Sequence, residues 1–288
     1  MIGLISDRRT MNFEQMLAIA AGALDRSDEI IAKAFRTRAT ASFNKLSDAD
    51  TLRAGEHFDP VTQADRDAEL AIRDVLAAAL PDHGIIGEEF GTVSGGSPYS
   101  WIIDPIDGTR AFVAGLPTFG TLLGLLDAGE PIAGVMSQPI LGERFLAFGV
   151  QAQLRDTRGH HPLDTSRVTS ISDAVLATTD PFLFPHETGE ADVFEACRTR
   201  AKIVRYGGDC YSYCLLAAGH IDLVIETRLA AYDIAPLIPI IQAAGGMITN
   251  WQGGSAAAGG QVVAAATPEL HAEACALLEP GAVSSSSS

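Results

Sequence analysis

The sequence is short of positive charge, has few cysteines, and contains no long apolar run. Twenty lysines and arginines stand against 36 aspartates and glutamates, a formal net charge of -16. That balance argues against nonspecific nucleic-acid binding, which needs basic surface to neutralise phosphates, and against an anionic membrane surface. No stretch of about 18 apolar residues is present to span a bilayer. The first ten residues offer only Ile2, Leu4 and Ile5 before Asp7-Arg8-Arg9, too little for a secretory signal. The cytoplasm is therefore the expected location. Cys197, Cys210, Cys214 and Cys275 form neither a CxxC pair nor a disulfide framework. Cys210 and Cys214, four apart, read as small core residues. The G-x-x-x-x-G-K-[ST] loop, the G-x-S-x-G elbow, H-E-x-x-H and a G-x-G-x-x-G after a strand are all missing. His160-His161 has no third ligand nearby and reads as structural or solvated.

What is present is a globular composition, 47% hydrophobic and 19% charged, with 28 glycines over 288 residues. Apolar residues from Phe13 to Phe35 recur at helical spacing, with Ser27 the place for any bend. Residues Phe43 to Asp59 read as a mobile loop. A second helix starts near Gln63, with Asp65, Asp67 and Glu69 in its first turns, where acids complement the helix dipole. Short apolar runs between turn signals then predict a β-rich block: Gly84–Gly87, Trp101–Ile103, Thr121–Leu126, Ala133–Met136 and Arg144–Phe148.

After Leu163 the pattern alternates between strand and helix. Strands are expected at Val175–Thr179, Lys202–Arg205, Leu223–Glu226, Met247–Thr249 and Val262–Ala265. Helices are expected at Asp192–Arg200, Cys210–Ala218, Ile234–Ala244 and Pro268–Leu278. This gives an α+β half over 1–155 and an α/β half over 156–280 in one continuous unit, joined through a polar stretch near 150–165. Residues 281–288 form a serine-rich tail, excluded from fold reasoning. Met11 is an alternative start.

The chemistry gathers where acids follow strands. Glu88 follows Ile85-Ile86, and Asp104 and Asp107 follow Trp101–Ile103. Ligand sites in α/β folds lie at the carboxyl ends of strands. Clustered carboxylates there are costly unless cations neutralise them, and an oxygen-rich set suits magnesium, manganese or calcium. Pro105 restricts the chain so that Asp104 and Asp107 can point to one side. Gly108 permits close backbone approach to a ligand. Gly108-Thr109 can open a helical turn whose amides face an anion. Taken alone, the same string is also compatible with an ordinary capped turn.

Four motifs in order, Pro60–Asp65, Gly87-Glu88-Glu89, Trp101–Thr109 and Tyr232–Ala235, resemble the signatures of the inositol monophosphatase family, over residues 12 to 279. The resemblance implies a layered αβαβα sandwich, of the inositol monophosphatase and fructose-1,6-bisphosphatase type, and usually a homodimer. It implies a phosphomonoesterase that uses about two to three magnesium ions and a metal-activated water, with manganese as a possible substitute and lithium as an inhibitor. The implied metal ligands are Glu88, Asp104, the Ile106 carbonyl, Asp107 and Asp233. Asp65 and Thr109 would be hydrogen-bonded beside the attacking water and, with Glu88, act in catalysis. The Gly108 and Thr109 amides would hold phosphate oxygens, and Asp233 would also approach the leaving group. On sequence alone Asp233 reads as a helix N-cap.

Three stretches, Asp107–Phe112 with Gly115-Leu116-Pro117, Arg205–Tyr211 and Ala217–Val224, resemble the histidinol-phosphate phosphatases within this superfamily. Histidinol carries an amine and an imidazole, so its site needs carboxylates away from the phosphate. Asp209 and Glu226 are the candidates. Glu226 also suits inositol phosphatases, so Asp209 discriminates better, and its competing reading is a helix N-cap. Thr227-Arg228-Leu229 departs from the smaller Ala-Gly pair of the subgroup, which places Arg228 either against the leaving group or in solvent. The expected substrate is L-histidinol phosphate, a step in histidine biosynthesis. Inositol 1-phosphate or a range of sugar phosphates is the alternative. A 3'-phosphoadenosine nucleotide and a non-catalytic metal-binding role rank lower.

Overall fold

A computed structural model describes residues 13–37, 43–44 and 60–282. The expectations for the chain start, most of the loop before Pro60 and the serine tail lie outside the described residues.

The chain opens with α1 (Phe13–Ala34), the two-residue strands β1 (Phe43–Asn44) and β2 (Pro60–Val61), and α2 (Gln63–Ala79). Helix α1 is continuous through Ser27. Next come β3 (Gly84–Gly87), β4 (Gly91–Val93), β5 (Tyr99–Asp107), α3 (Thr109–Ala114), β6 (Gly120–Asp127), β7 (Glu130–Gln138), β8 (Glu143–Phe148), β9 (Gln151–Asp156) and β10 (Gly159–Pro162). The rest is β11 (Val175–Thr178), α4 (Glu190–Arg198), β12 (Ile203–Tyr206), α5 (Asp209–Ala217), β13 (Leu223–Leu229), α6 (Ala231–Ile234), α7 (Leu237–Ala243), β14 (Met247–Asn250), β15 (Gly260–Ala265) and α8 (Pro268–Leu278).

Eight strands form one sheet in the order β10-β9-β8-β7-β6-β5-β3-β4, antiparallel except for the β3–β5 pair. Five form a second, β12-β11-β13-β15-β14, parallel only where β11 meets β12 and β13. Helices α1 and α2 cover one face of the first sheet, α5 and α7 lie between the sheets, and α4 and α8 cover the outside of the second. The result is the αβαβα sandwich.

The inner strands of both sheets, such as β5, β6, β13 and β15, are buried on both faces and are nearly unbroken apolar runs. Alternation sends successive residues into different cores. Trp101, Ile103, Leu123 and Leu125 face α1 and α2, beside Leu24 and Leu76. Leu122 and Met136 face the middle layer with Leu237 and Ile241. Val224 and Ala264 also join the middle core, while Leu223, Ile225, Val263 and Ala265 join Phe194 and Leu270 outside. Truncating a side chain such as the buried Trp101 costs about 3–5 kcal/mol.

Three local expectations are corrected. The polar stretch near 150–165 forms the β9–β10 hairpin, which extends the first sheet through Pro162, so residue 155 falls within β9. Its polar residues fit an edge, where one side of the ladder meets water. The single helix expected over Ile234–Ala244 is two, because Pro236 lacks an N–H and its ring clashes with the preceding turn. The strand expected at Trp101–Ile103 runs on to Asp107.

Candidate active site

Helix α2 supplies the first carboxylate. Thr62 donates to Asp65 Oδ2 from its backbone N–H (2.9 Å) and its hydroxyl (2.6 Å), a local cap that fixes the helix start. Asp65 is fully buried, and its Oδ1 has no partner. Burial pushes its carboxyl up to about 6, with Glu88 adding and the Thr62 bonds opposing. The expected Asp65–Thr109 hydrogen bond is not formed. Thr109 instead donates its hydroxyl to the Ile106 carbonyl at 3.0 Å, the near acceptor at its own helix entrance.

Strand β5 brings two acids together by an irregularity. Side chains alternate along a strand, so residues three apart face opposite sides. Asp104 pairs with Leu122 but Asp107 with Gly120, three steps on β5 against two on β6. The extra residue is a bulge that re-aims the second side chain. Pro105 cannot donate to the ladder, and its carbonyl is taken by the Thr121 hydroxyl at 2.9 Å. Asp104 and Asp107 therefore sit inside the strand's last residues on one side, and not after it. Asp233, the third residue of α6, completes the group: one oxygen from each of the three acids lies within 4.8 Å of the others. Asp233 does serve its helix start, accepting the Ala230 N–H at 2.8 Å, but as the residue three after the cap. Glu88 borders Asp104, with its backbone N–H on the Ile103 carbonyl at 3.2 Å.

The electrostatics follow from crowding. Burial first, then the charges of Glu88, Asp107 and Asp233, hold the Asp104 carboxyl well above the carboxylate range. Asp107 is raised likewise by burial and then by Asp209 and Asp233, against the Cys210 N–H, which donates to its Oδ2 at 2.7 Å. Such a group cannot ionise fully without a cation. Its donors are all hard oxygens, so the residues present fit a divalent ion of the magnesium type.

Gly108 links these acids to the rest of the cavity. It sits in the left-handed region at φ 84°, and a Cβ there would lie 3.1 Å from the Asp209 side chain and 3.2 Å from Phe119 Cα. Only glycine serves both demands. Asp209 is the first residue of α5, at φ 42°, with Gly208 as the cap, so the N-cap reading fails. Burial raises Asp209 to about 6, partly offset by Arg110.

Glu226 on β13 is buried and accepts three bonds, from the Thr179 N–H (2.6 Å), the Thr179 hydroxyl (2.9 Å) and the Thr178 hydroxyl (3.3 Å). Burial still pushes it up to about 8. The six carboxyl groups of Glu88, Asp104, Asp107, Asp209, Glu226 and Asp233 line one cavity of about 230 Å³ together with Ile106, Gly108, Thr109, Thr179, Arg110 and Arg228, whereas Asp65 does not line it.

Four participants escape sequence reasoning. Arg110, Thr179 and Leu183 line the cavity unannounced, although Thr179 stands at a strand's carboxyl end, where ligand sites gather. Glu69, read as a helix-dipole acid, is fully buried and turned inward.

Residues 12–281 match the sequence profile of the inositol monophosphatase family. The chloroplastic bifunctional phosphatase IMPL2 of Arabidopsis thaliana is 38% identical over 285 residues, covering 95% of this chain and 78% of that protein. The histidinol-phosphatase of Mycobacterium tuberculosis is 34% identical over 268 residues, covering 92% of this chain and 98% of that one. A solved inositol monophosphatase from Zymomonas mobilis has a TM-score of 0.79 at 34% identity, covering 93% of this chain and 99% of that one. With the sandwich, the acid cluster and the profile in agreement over nearly the whole length, the chain belongs to the inositol monophosphatase family of metal-dependent phosphatases.

Proposed function

We propose that the protein is a magnesium-dependent phosphomonoesterase that converts L-histidinol phosphate and water into L-histidinol and phosphate. The observation that carries the substrate choice is Asp209 together with Glu226. Both are carboxyl groups of the cavity outside the three-acid cluster, where the amine and imidazole of histidinol would lie. The Mycobacterium tuberculosis histidinol-phosphatase, similar over nearly its full length, supports the same choice.

Glu88, Asp104, the Ile106 carbonyl, Asp107 and Asp233 would hold the cations. When bound, these ions neutralise the phosphate and make water a better nucleophile. The chain's own residues do the rest. Asp65 does not line the cavity, so a proton of the attacking water would reach its partnerless Oδ1, on a carboxyl raised to about 6, through an intervening water. The Gly108 and Thr109 amides at the start of α3 would fix two phosphate oxygens. As the P–O ester bond breaks, the leaving oxygen beside Asp233 would take a proton from solvent water, and Asp65 would return its proton to solvent. Asp209, with a carboxyl near 6, would orient the departing alcohol by a cationic group, and Glu226 would accept a hydrogen bond from it or donate one to it.

Inositol 1-phosphate is the second reading. Arg110 and Arg228 line the same cavity and oppose a cationic leaving group, and a Glu226 raised to about 8 can bind a neutral hydroxyl. Phosphate release from both esters, at saturating magnesium, separates them. The proposal expects kcat/KM at least tenfold higher for histidinol phosphate. Equal or reversed values refute it, and no hydrolysis of either ester favours a binding role.

A further inference from the structure

Glu69 is a carboxyl group that the reaction does not use, yet it is fully buried and bonded to the turn that carries Glu88. It lies one turn after Asp65 on α2, on the same helix face. Its carboxylate is saturated by the short β3–β4 turn. Oε2 accepts the Glu89 N–H at 2.7 Å, and Oε1 accepts the Phe90 N–H at 3.2 Å. Arg73, a further turn along, donates its Nε to Oε1 at 2.7 Å. The same guanidinium reaches the Gly91 carbonyl on the far side of the turn. The fit leaves no spare room, since a side chain on Gly87 would collide with both Glu69 and Arg73.

Burying a carboxylate and a guanidinium under a three-residue turn is expensive, and an apolar pair would hold the turn at less cost. The pair does something an apolar pair cannot. It fixes the two amides that follow Glu88 and the carbonyl that closes the turn, while the Glu88 N–H is held by Ile103. The backbone N–H groups of Glu88 and of the two residues after it are thereby all held.

We propose that Glu69 and Arg73 act as a positioning pair that aims Glu88 at the Asp104–Asp107–Asp233 cluster. The inference rests on the metal reading of that cluster. Outer groups that orient ligands typically change metal affinity by about 10–100-fold.

The test uses the full-length protein and magnesium alone. Thermal unfolding is followed across a magnesium titration for wild type, Glu69→Gln and Arg73→Lys. Both variants are expected to need roughly tenfold more magnesium for half-maximal stabilisation, with kcat on histidinol phosphate recovering at saturating magnesium. An unchanged titration midpoint in either folded variant overturns the proposal. A wild type that magnesium does not stabilise overturns the metal reading itself, a separate result. If neither variant folds, hydrogen exchange on metal-free wild type decides. The Glu89 and Phe90 amides are expected to be protected like core strands, and fast exchange at both overturns the proposal.

Discussion

Replacing Asp209 by Asn tests the substrate assignment with little risk to the fold. Asn keeps the shape of Asp and is among the few residues that accept a left-handed backbone, here φ 42°. What it loses is one charge. At about 4 Å and an effective dielectric near 20, a cation gains roughly 4 kcal/mol from that charge. The nearby Arg110 offsets part of it, and an ordinary charged hydrogen bond nets about 1.5–3 kcal/mol. That is a loss of about 10–150-fold in kcat/KM for histidinol phosphate. Inositol 1-phosphate has no cation to lose and should change by less than about threefold. The metal-free variant should also be more stable at pH 7. The carboxyl is raised to about 6 in the fold, and relieving that cost is worth up to about 3 kcal/mol. Steady-state phosphate release on both esters, with unfolding curves alongside, provides the assay. Equal losses on the two esters, or none on either, would refute the reasoning.

Three further outcomes follow from the geometry. Asp107→Asn should abolish phosphate release while leaving the circular dichroism spectrum and unfolding cooperativity intact, since it relieves repulsion with Asp209 and Asp233; near-normal turnover contradicts the assignment. In metal-free protein, carboxyls raised to about 6 at Asp65 and Asp209 and to about 8 at Glu226 bind protons more tightly folded than unfolded. Urea midpoints should therefore fall as pH rises from about 4 to about 8, and magnesium should flatten the fall; a rise over that window is incompatible with it. Gly108→Ala meets a left-handed penalty of about 1–2 kcal/mol and the Asp209 side chain together. It should lower the melting temperature by about 2–4 °C per kcal/mol lost and reduce turnover on both esters, a result checked by calorimetry and phosphate release.

Much of this was legible because periodicity reports burial. Helix α8 starts and ends where its Pro and final leucine said it would, β3 matches its expected bounds, and α2 starts at Gln63 as expected. The strand β4 is three exposed residues and leaves no apolar pattern to read. The hairpin β9–β10 is polar for the same reason, as an edge. At the site, Glu88, Asp104 and Asp107 announced themselves by position after apolar runs. Their convergence did not, because it depends on a bulge that only pairing with β6 reveals. Glu69 looked like a dipole acid because two of its three partners lie 20 and 21 residues away. Asp209 resembled a cap because caps and left-handed residues share a vocabulary of small polar side chains.

Strand β13 slips register against β15 between Glu226 and Leu229, and Arg228 sits in that slip at φ 62°, exposed yet lining the cavity. A residue released from the ladder carries few obligations to its neighbours. Glu226 stays paired with Val262 on one side of the slip, and the Asp104–Asp107 bulge lies in the other sheet. The architecture thus separates a part that must stay fixed from a part that is free to drift. Substrate preference can diverge between related chains by small steps at such a place, each retaining the means of hydrolysis.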